Sequence, residues 1–75
     1  MELKEFIDNF ADQFNDTDAS EFTADTVFKD LSEWSSLVAL NIIAMVDEVY
    51  DVTRKGDDIL NALSIEDIFH IVASR

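Results

Sequence analysis

Apolar residues recur at helical spacing in three separate stretches of this 75-residue chain, and no stretch sustains the alternation of a strand. Leu3, Phe6, Ile7, Phe10, Ala11 and Phe14 follow i, i+3, i+4, i+7, i+8, i+11, with Glu5, Asp8, Asn9, Asp12 and Gln13 between them. This spacing predicts a helix from Leu3 to Phe14. A second helix is expected from Ser36 to Tyr50, and a third is carried by Ile65, Ile68, Phe69 and Val72. The chain has no cysteine and a single histidine, so neither a disulfide nor a Cys/His zinc site can staple so small a fold. Packing alone must hold it. The expectation is one all-α domain over residues 1–75, with three longer helices, one short helix and a long first loop.

Local chemistry sets the boundaries. Ser35 is placed to cap the second helix, and Asp51 to close it in a left-handed conformation. Ser64-Ile65-Glu66-Asp67 resembles a capping box, with Asp in place of the usual Glu or Gln. The only glycine, Gly56, lies in Arg54-Lys55-Gly56-Asp57-Asp58. It suits a turn from which Asp57 caps a short helix through Ile59 and Leu60. The rest of a phosphate-binding loop is missing there. The first connection, residues 15–34, starts with turn chemistry and is too long to hang free in a small domain. Phe22, Val27, Phe28, Leu31 and Trp34 are its expected anchors, with a helical turn around Asp25 to Asp30. Its opening, Asp16-Thr17-Asp18-Ala19-Ser20, fails as a calcium loop. Glu21 stands where glycine is needed and Val27 where a bidentate Glu is needed.

Seventeen acidic residues against five basic ones give a formal charge of −12. Such a surface repels phosphate backbones and anionic membranes, and attracts proteins with basic patches. Nucleic-acid binding and stable membrane association are therefore not expected. No charged-then-apolar leader opens the sequence and no run approaches membrane-spanning length, so a cytoplasmic monomer is the default expectation. No acid, base and nucleophile set suggests an enzyme. His70 lies between apolar neighbours without a second ligand or a nucleophile to serve, and no metal site or catalytic residue is assigned.

The second helix is the informative one. At 100° per residue, Val38, Ala39, Ile42, Met45, Val46, Val49 and Tyr50 fall on one broad side, enough for a core-facing stripe. The opposite side carries Ser36, Leu37, Leu40, Ile43 and Ala44, then Asp47, Glu48 and Asp51. A helix with only a structural task would be polar along that side. Its acids also face the negative end of the helix dipole, and Asp47 and Asp51 form a like-charge pair costing a few tenths of a kcal/mol. A serine, an apolar patch and an acid cluster in line suit a surface that meets other proteins; the alternative is an acidic chain that places acids everywhere, with the apolar atoms any surface carries.

Leu31 to Leu40, LSEWSSLVAL, resembles the acyl carrier proteins, whose attachment site is typically Asp-Ser-Leu at the start of the second helix. A tryptophan before that triplet, as at Trp34, is similar to a variant of many stand-alone bacterial carriers. The resemblance covers nearly the whole chain in layout, with one short specific motif. It implies a four-helix bundle of acyl-carrier type. It also implies that Ser36 bears a 4′-phosphopantetheine arm taken from coenzyme A by a magnesium-dependent phosphopantetheinyl transferase. Leu37, Leu40, Ala44, Asp47 and Glu48 match positions by which such carriers dock onto enzymes. The implied partners are that transferase and acyl-loading and acyl-processing enzymes with basic patches, in fatty-acid, lipid or secondary-metabolite synthesis.

One departure from the pattern is plain. Ser35 stands where the family has aspartate, which keeps a capping oxygen and removes a carboxylate associated with magnesium. Ser35 is thus the alternative attachment point, and Asp30 or Glu33 are the nearby acids for the missing charge. With no histidine near Ser36 in sequence and no cysteine, self-catalysed chemistry at that hydroxyl is not expected. As an attachment point the place is sound, because a helix N-terminus favours an anion. The acidity and single-domain length favour an acyl over an aminoacyl cargo. The alternative is a non-modified acidic helical adaptor that binds a basic partner through the same face.

Overall fold

The computed structural model describes residues 2–52, 59 and 61–74. The chain is all-helical, with no strand among the described residues. Among the described residues the longer helices are α1 over Leu3–Ala11, α2 over Ser36–Tyr50 and α3 over Ile65–Ala73. Two short 3₁₀ turns, Ala19–Glu21 and Phe28–Asp30, lie within the first connection. The short helix expected after Gly56 and Asp57 falls largely outside the described residues. Ile59 and Asn61 within it are helical, and Ile59 and Ala62 are buried. Among the described residues no helix is long and apolar enough to cross a membrane.

The spacing of α1 does what it predicts, with Phe6 and Phe10 fully buried. The helix nevertheless ends at Ala11 rather than Phe14. The Gln13 and Phe14 amides bond to the carbonyls of Phe10 and Ala11, three residues back, at 3.1 and 3.0 Å. This tighter turn keeps Phe14 in the core while steering the chain off the helix axis. Phe10 becomes the hub of an aromatic cluster. Its ring centroid lies 6.4 Å from Phe6, 5.6 Å from Phe14, 6.2 Å from Phe22 and 5.8 Å from Phe28.

Two of those rings belong to the connection, so the loop is a wall of the core. Phe22 and Phe28 are buried, and Leu31 and Trp34 are half-buried against the same cluster. Val27 is only half-buried, and the helical turn forms at Phe28–Asp30, the end of the stretch expected to hold it. The loop also reaches α3 through its backbone. The Ile65 amide donates to the Thr26 carbonyl at 3.1 Å and the Glu66 amide to the Ala24 carbonyl at 3.0 Å. These are first-turn amides that an α-helix cannot satisfy internally.

The α3 start is completed by the capping box read in the sequence. Ser64 Oγ accepts the Asp67 amide at 3.2 Å, and Asp67 Oδ2 accepts the Ser64 and Leu63 amides at 3.1 Å each. Ile65, Ile68 and Val72 then face the core, with Phe69 half-buried beside them. The Ser64 amide, then the Leu63 amide, hold the Asp67 carboxyl below its ordinary value. Such a group stabilises the fold fully above the ordinary aspartate range, and the contribution fades as pH falls through the lowered folded value. The melting temperature of the wild type should exceed that of Asp67→Asn at neutral pH. The gap should close in acid, once Asp67 is protonated. The variant has one acid fewer than the −12 wild type and so slightly less self-repulsion, which opposes the predicted gap at neutral pH rather than producing it.

Candidate functional site

The site is set by how α2 begins. Ser35 is extended, at φ −156° and ψ 172°, and its Oγ accepts the Val38 amide at 3.3 Å. Its carbonyl accepts the Ala39 amide at 3.0 Å, the first bond of the helix. Ser35 is therefore the N-cap, and its oxygen has work inside the fold. Ser36 is the first helical residue and is exposed. Helix geometry leaves the Ser36 and Leu37 amides without an intrahelical acceptor at the positive end of the dipole. The α3 start differs, because loop carbonyls and the capping box take up its first amides.

Below the cap, the two sides of α2 separate by burial. Val38, Ile42, Met45 and Val46 are buried. Leu37 is 68% and Leu40 62% exposed, and Ala44, Asp47 and Glu48 are exposed with them. Asp51 is exposed and takes the left-handed conformation expected of it, φ 56° and ψ 40°. Its amide and that of Val52 turn back to the Val46 carbonyl. Ser36, Leu37, Leu40, Ala44, Asp47, Glu48 and Asp51 thus share the open side.

Two residues depart from the periodicity. Ile43, expected on the open side, is half-buried and packs against the core, since its direction lies at the edge of the stripe. Val49, expected in the core, is 51% exposed. It points the way Ile42 and Met45 do, but the α1 residues at that level engage its neighbour instead. The Tyr50 ring lies 5.6 Å from Phe6, and the Tyr50 hydroxyl accepts a bond from Asn9 Nδ2 at 2.9 Å. Helical spacing gives a direction and says nothing of whether a neighbour waits there.

The segment leading into the site holds a contact that sequence reading missed. Glu33 Oε2 accepts the Asn15 amide at 2.6 Å, and Oε1 accepts the Asp16 amide at 2.9 Å and the Thr17 hydroxyl at 2.8 Å. The Asn15 amide, then the Thr17 hydroxyl, hold the Glu33 carboxyl below its ordinary value. Both Glu33 oxygens accept bonds from residues 15–17, so its carboxylate is turned toward the exit of α1. Asp30 is exposed at the end of its 3₁₀ turn. Among the described residues no cluster of His, Cys, Asp or Glu could hold a metal ion. His70 is exposed, with its ring 5.9 Å from Phe69.

Fold and site together define a small acidic α-helical protein that leads an apolar and acidic helix face with an exposed serine. Compared with known proteins, the chain matches no family model, no curated protein and no solved structure.

Proposed function

We propose that this protein is an acyl carrier of the phosphopantetheine-bearing kind, a four-helix bundle whose fourth, short helix precedes α3. Ser36 is its attachment point. The observation that carries this reading is the exposure of Ser36 at the first turn of α2, in line with exposed Leu37, Leu40 and Ala44 and the acids Asp47 and Glu48. Val38, Ile42 and Val46 are buried behind them. The residues suit the group: an accessible hydroxyl to esterify, and unpaired first-turn amides beside it to receive a phosphodiester anion. When bound, the arm supplies a terminal thiol that holds an acyl group as a thioester, chemistry that a cysteine-free chain lacks. The acidic charge steers basic partner enzymes to α2, and Leu37 and Leu40 give them apolar surface to bury. The carrier itself catalyses nothing; the transferase and the acyl-processing enzymes act on it, in the cytoplasm.

Ser36 is preferred over Ser35 because the Ser35 oxygen already caps the helix. Incubation with coenzyme A, magnesium and a broad-specificity phosphopantetheinyl transferase should add one arm to the wild type and to Ser35→Ala. Ser36→Ala should gain none. Intact-mass analysis reads the result, and an arm retained on Ser36→Ala would move the attachment to Ser35. One observation favours the adaptor reading instead: Ser35 carries no carboxylate and Glu33 is occupied by the loop, so no acid adjoins the hydroxyl in sequence free of other work. An adaptor would bind its basic partner equally well with both serines replaced by alanine. A carrier so altered would lose its function.

A further inference from the structure

The polar contact at Glu33 joins two parts of the chain that sequence places 16 to 18 residues apart. On one side are Asn15, Asp16 and Thr17, where the chain leaves α1. On the other is the residue three before Ser36. An aromatic contact lies directly beside it, with the rings of Phe14 and Trp34 stacked at 6.5 Å and 27°. Trp34 also meets Phe28 edge-on at 4.8 Å. Residues 14–17 and 33–34 are therefore joined twice, once through a carboxylate and once through rings. Ser35 follows at once and caps α2.

Neither contact alone would fix this segment. The ring stack sets a distance while allowing sliding, and three donors on two oxygens of one carboxylate set a direction. Charge-assisted bonds of 2.6 to 2.9 Å are the stronger kind, and a half-buried glutamate that spends both oxygens this way is held in one rotamer. The backbone from Glu33 to Ser36 is then tied at its start by the carboxylate and at its end by the cap.

We propose that Glu33 is a positioning residue for the Ser36 hydroxyl: it latches the exit of α1 to the entry of α2 and so fixes where that hydroxyl stands. It acts through Trp34 and Ser35 and touches neither Ser36 nor the arm. Its bearing on arm transfer rests on Ser36 being the attachment point, whereas the latch itself does not.

The test compares the full-length wild type with Glu33→Gln, Glu33→Ala and Thr17→Val, at a temperature where circular dichroism shows each folded. In Glu33→Ala the Asn15 and Asp16 amides should exchange with solvent at least about tenfold faster. Emission of the single tryptophan, Trp34, should move to the red, and the Ser35 and Ser36 amide resonances should shift. Glu33→Gln keeps one acceptor oxygen and Thr17→Val removes one bond, so both should fall between. For arm transfer from coenzyme A by the broad-specificity transferase, kcat should drop about tenfold. KM should hold within about twofold, because the exposed face of α2 is untouched. A loss of global stability alone would speed exchange at core amides such as Phe10 by as much as at Asn15 and Asp16, so the latch is read from exchange that rises more at Asn15 and Asp16 than there. Unchanged exchange at Asn15 and Asp16 would overturn the latch. Faster exchange with unmoved Ser36 resonances and unchanged kcat would overturn its positioning role. A wild type that accepts no arm would instead count against the carrier reading, and the exchange, fluorescence and amide readings would still decide the latch.

Discussion

Phe28→Ala should remove a large part of this protein's stability, although Phe28 lies in the connection between two helices. Its side chain is fully buried, with its ring 5.8 Å from Phe10 and 4.8 Å from Trp34. Truncating a buried phenylalanine costs about 3–5 kcal/mol, the lost transfer energy plus the cavity left behind. A domain of this length has roughly 4–11 kcal/mol to lose. In so small a domain each kcal/mol is worth about 4–8 °C, so the midpoint should fall by more than about 12 °C. Thermal unfolding followed by circular dichroism measures it. A surface loop would tolerate the change within about 0.5 kcal/mol. A fall of less than about 4 °C would therefore show that the connection does not close the core.

Leu40→Asp should have the opposite profile, with a near-normal melting temperature and a large loss of partner recognition. Leu40 is 62% exposed one turn beyond Ser36, so most of its surface contributes nothing to the fold. As a docking residue it would meet an apolar pocket on an enzyme, and an aspartate there brings an unpaired charge into the interface. Interface positions of that kind are worth about 2 kcal/mol or more, roughly a 30-fold fall in kcat/KM for arm transfer. The effect should reside in KM, the reverse of the Glu33 variants. Val46→Asp on the buried side should instead abolish folding, since Val46 is wholly enclosed and the charge would have no partner. Equal kcat/KM for Leu40→Asp and the wild type would remove Leu40 from the docking face.

What the sequence could and could not disclose follows from the range of each interaction. The helices and their caps are local, so Phe6 and Phe10, Ser35, Asp51 and the Ser64–Asp67 box were all legible from neighbours in the chain. The loop anchors Phe22 and Phe28 were legible as apolar residues with nowhere else to go. The end of α1 was not, because Gln13 and Phe14 suit a helix as well as the tight turn they form. Nor was Val49, whose direction is correct and whose neighbour is missing at that level. The Glu33 contacts gave no signal at all: glutamate among polar residues looks like solvated surface, and its partners are two backbone amides and a hydroxyl far away in sequence. Likewise the carbonyls of Ala24 and Thr26 that meet α3 carry no side-chain identity for a pattern to reveal. The face of α2 was readable because burial there follows helical geometry, with Ile43 and Val49 as the two exceptions.

The central claim is that the hydroxyl of Ser36 carries the arm, and mass spectrometry of the protein purified from its native host tests it most directly. The expected result is a population heavier by one phosphopantetheine or acyl-phosphopantetheine group, with fragmentation placing the added mass on Ser36. A chain that is unmodified at both serines, drawn from cells whose transferase is active, would contradict it.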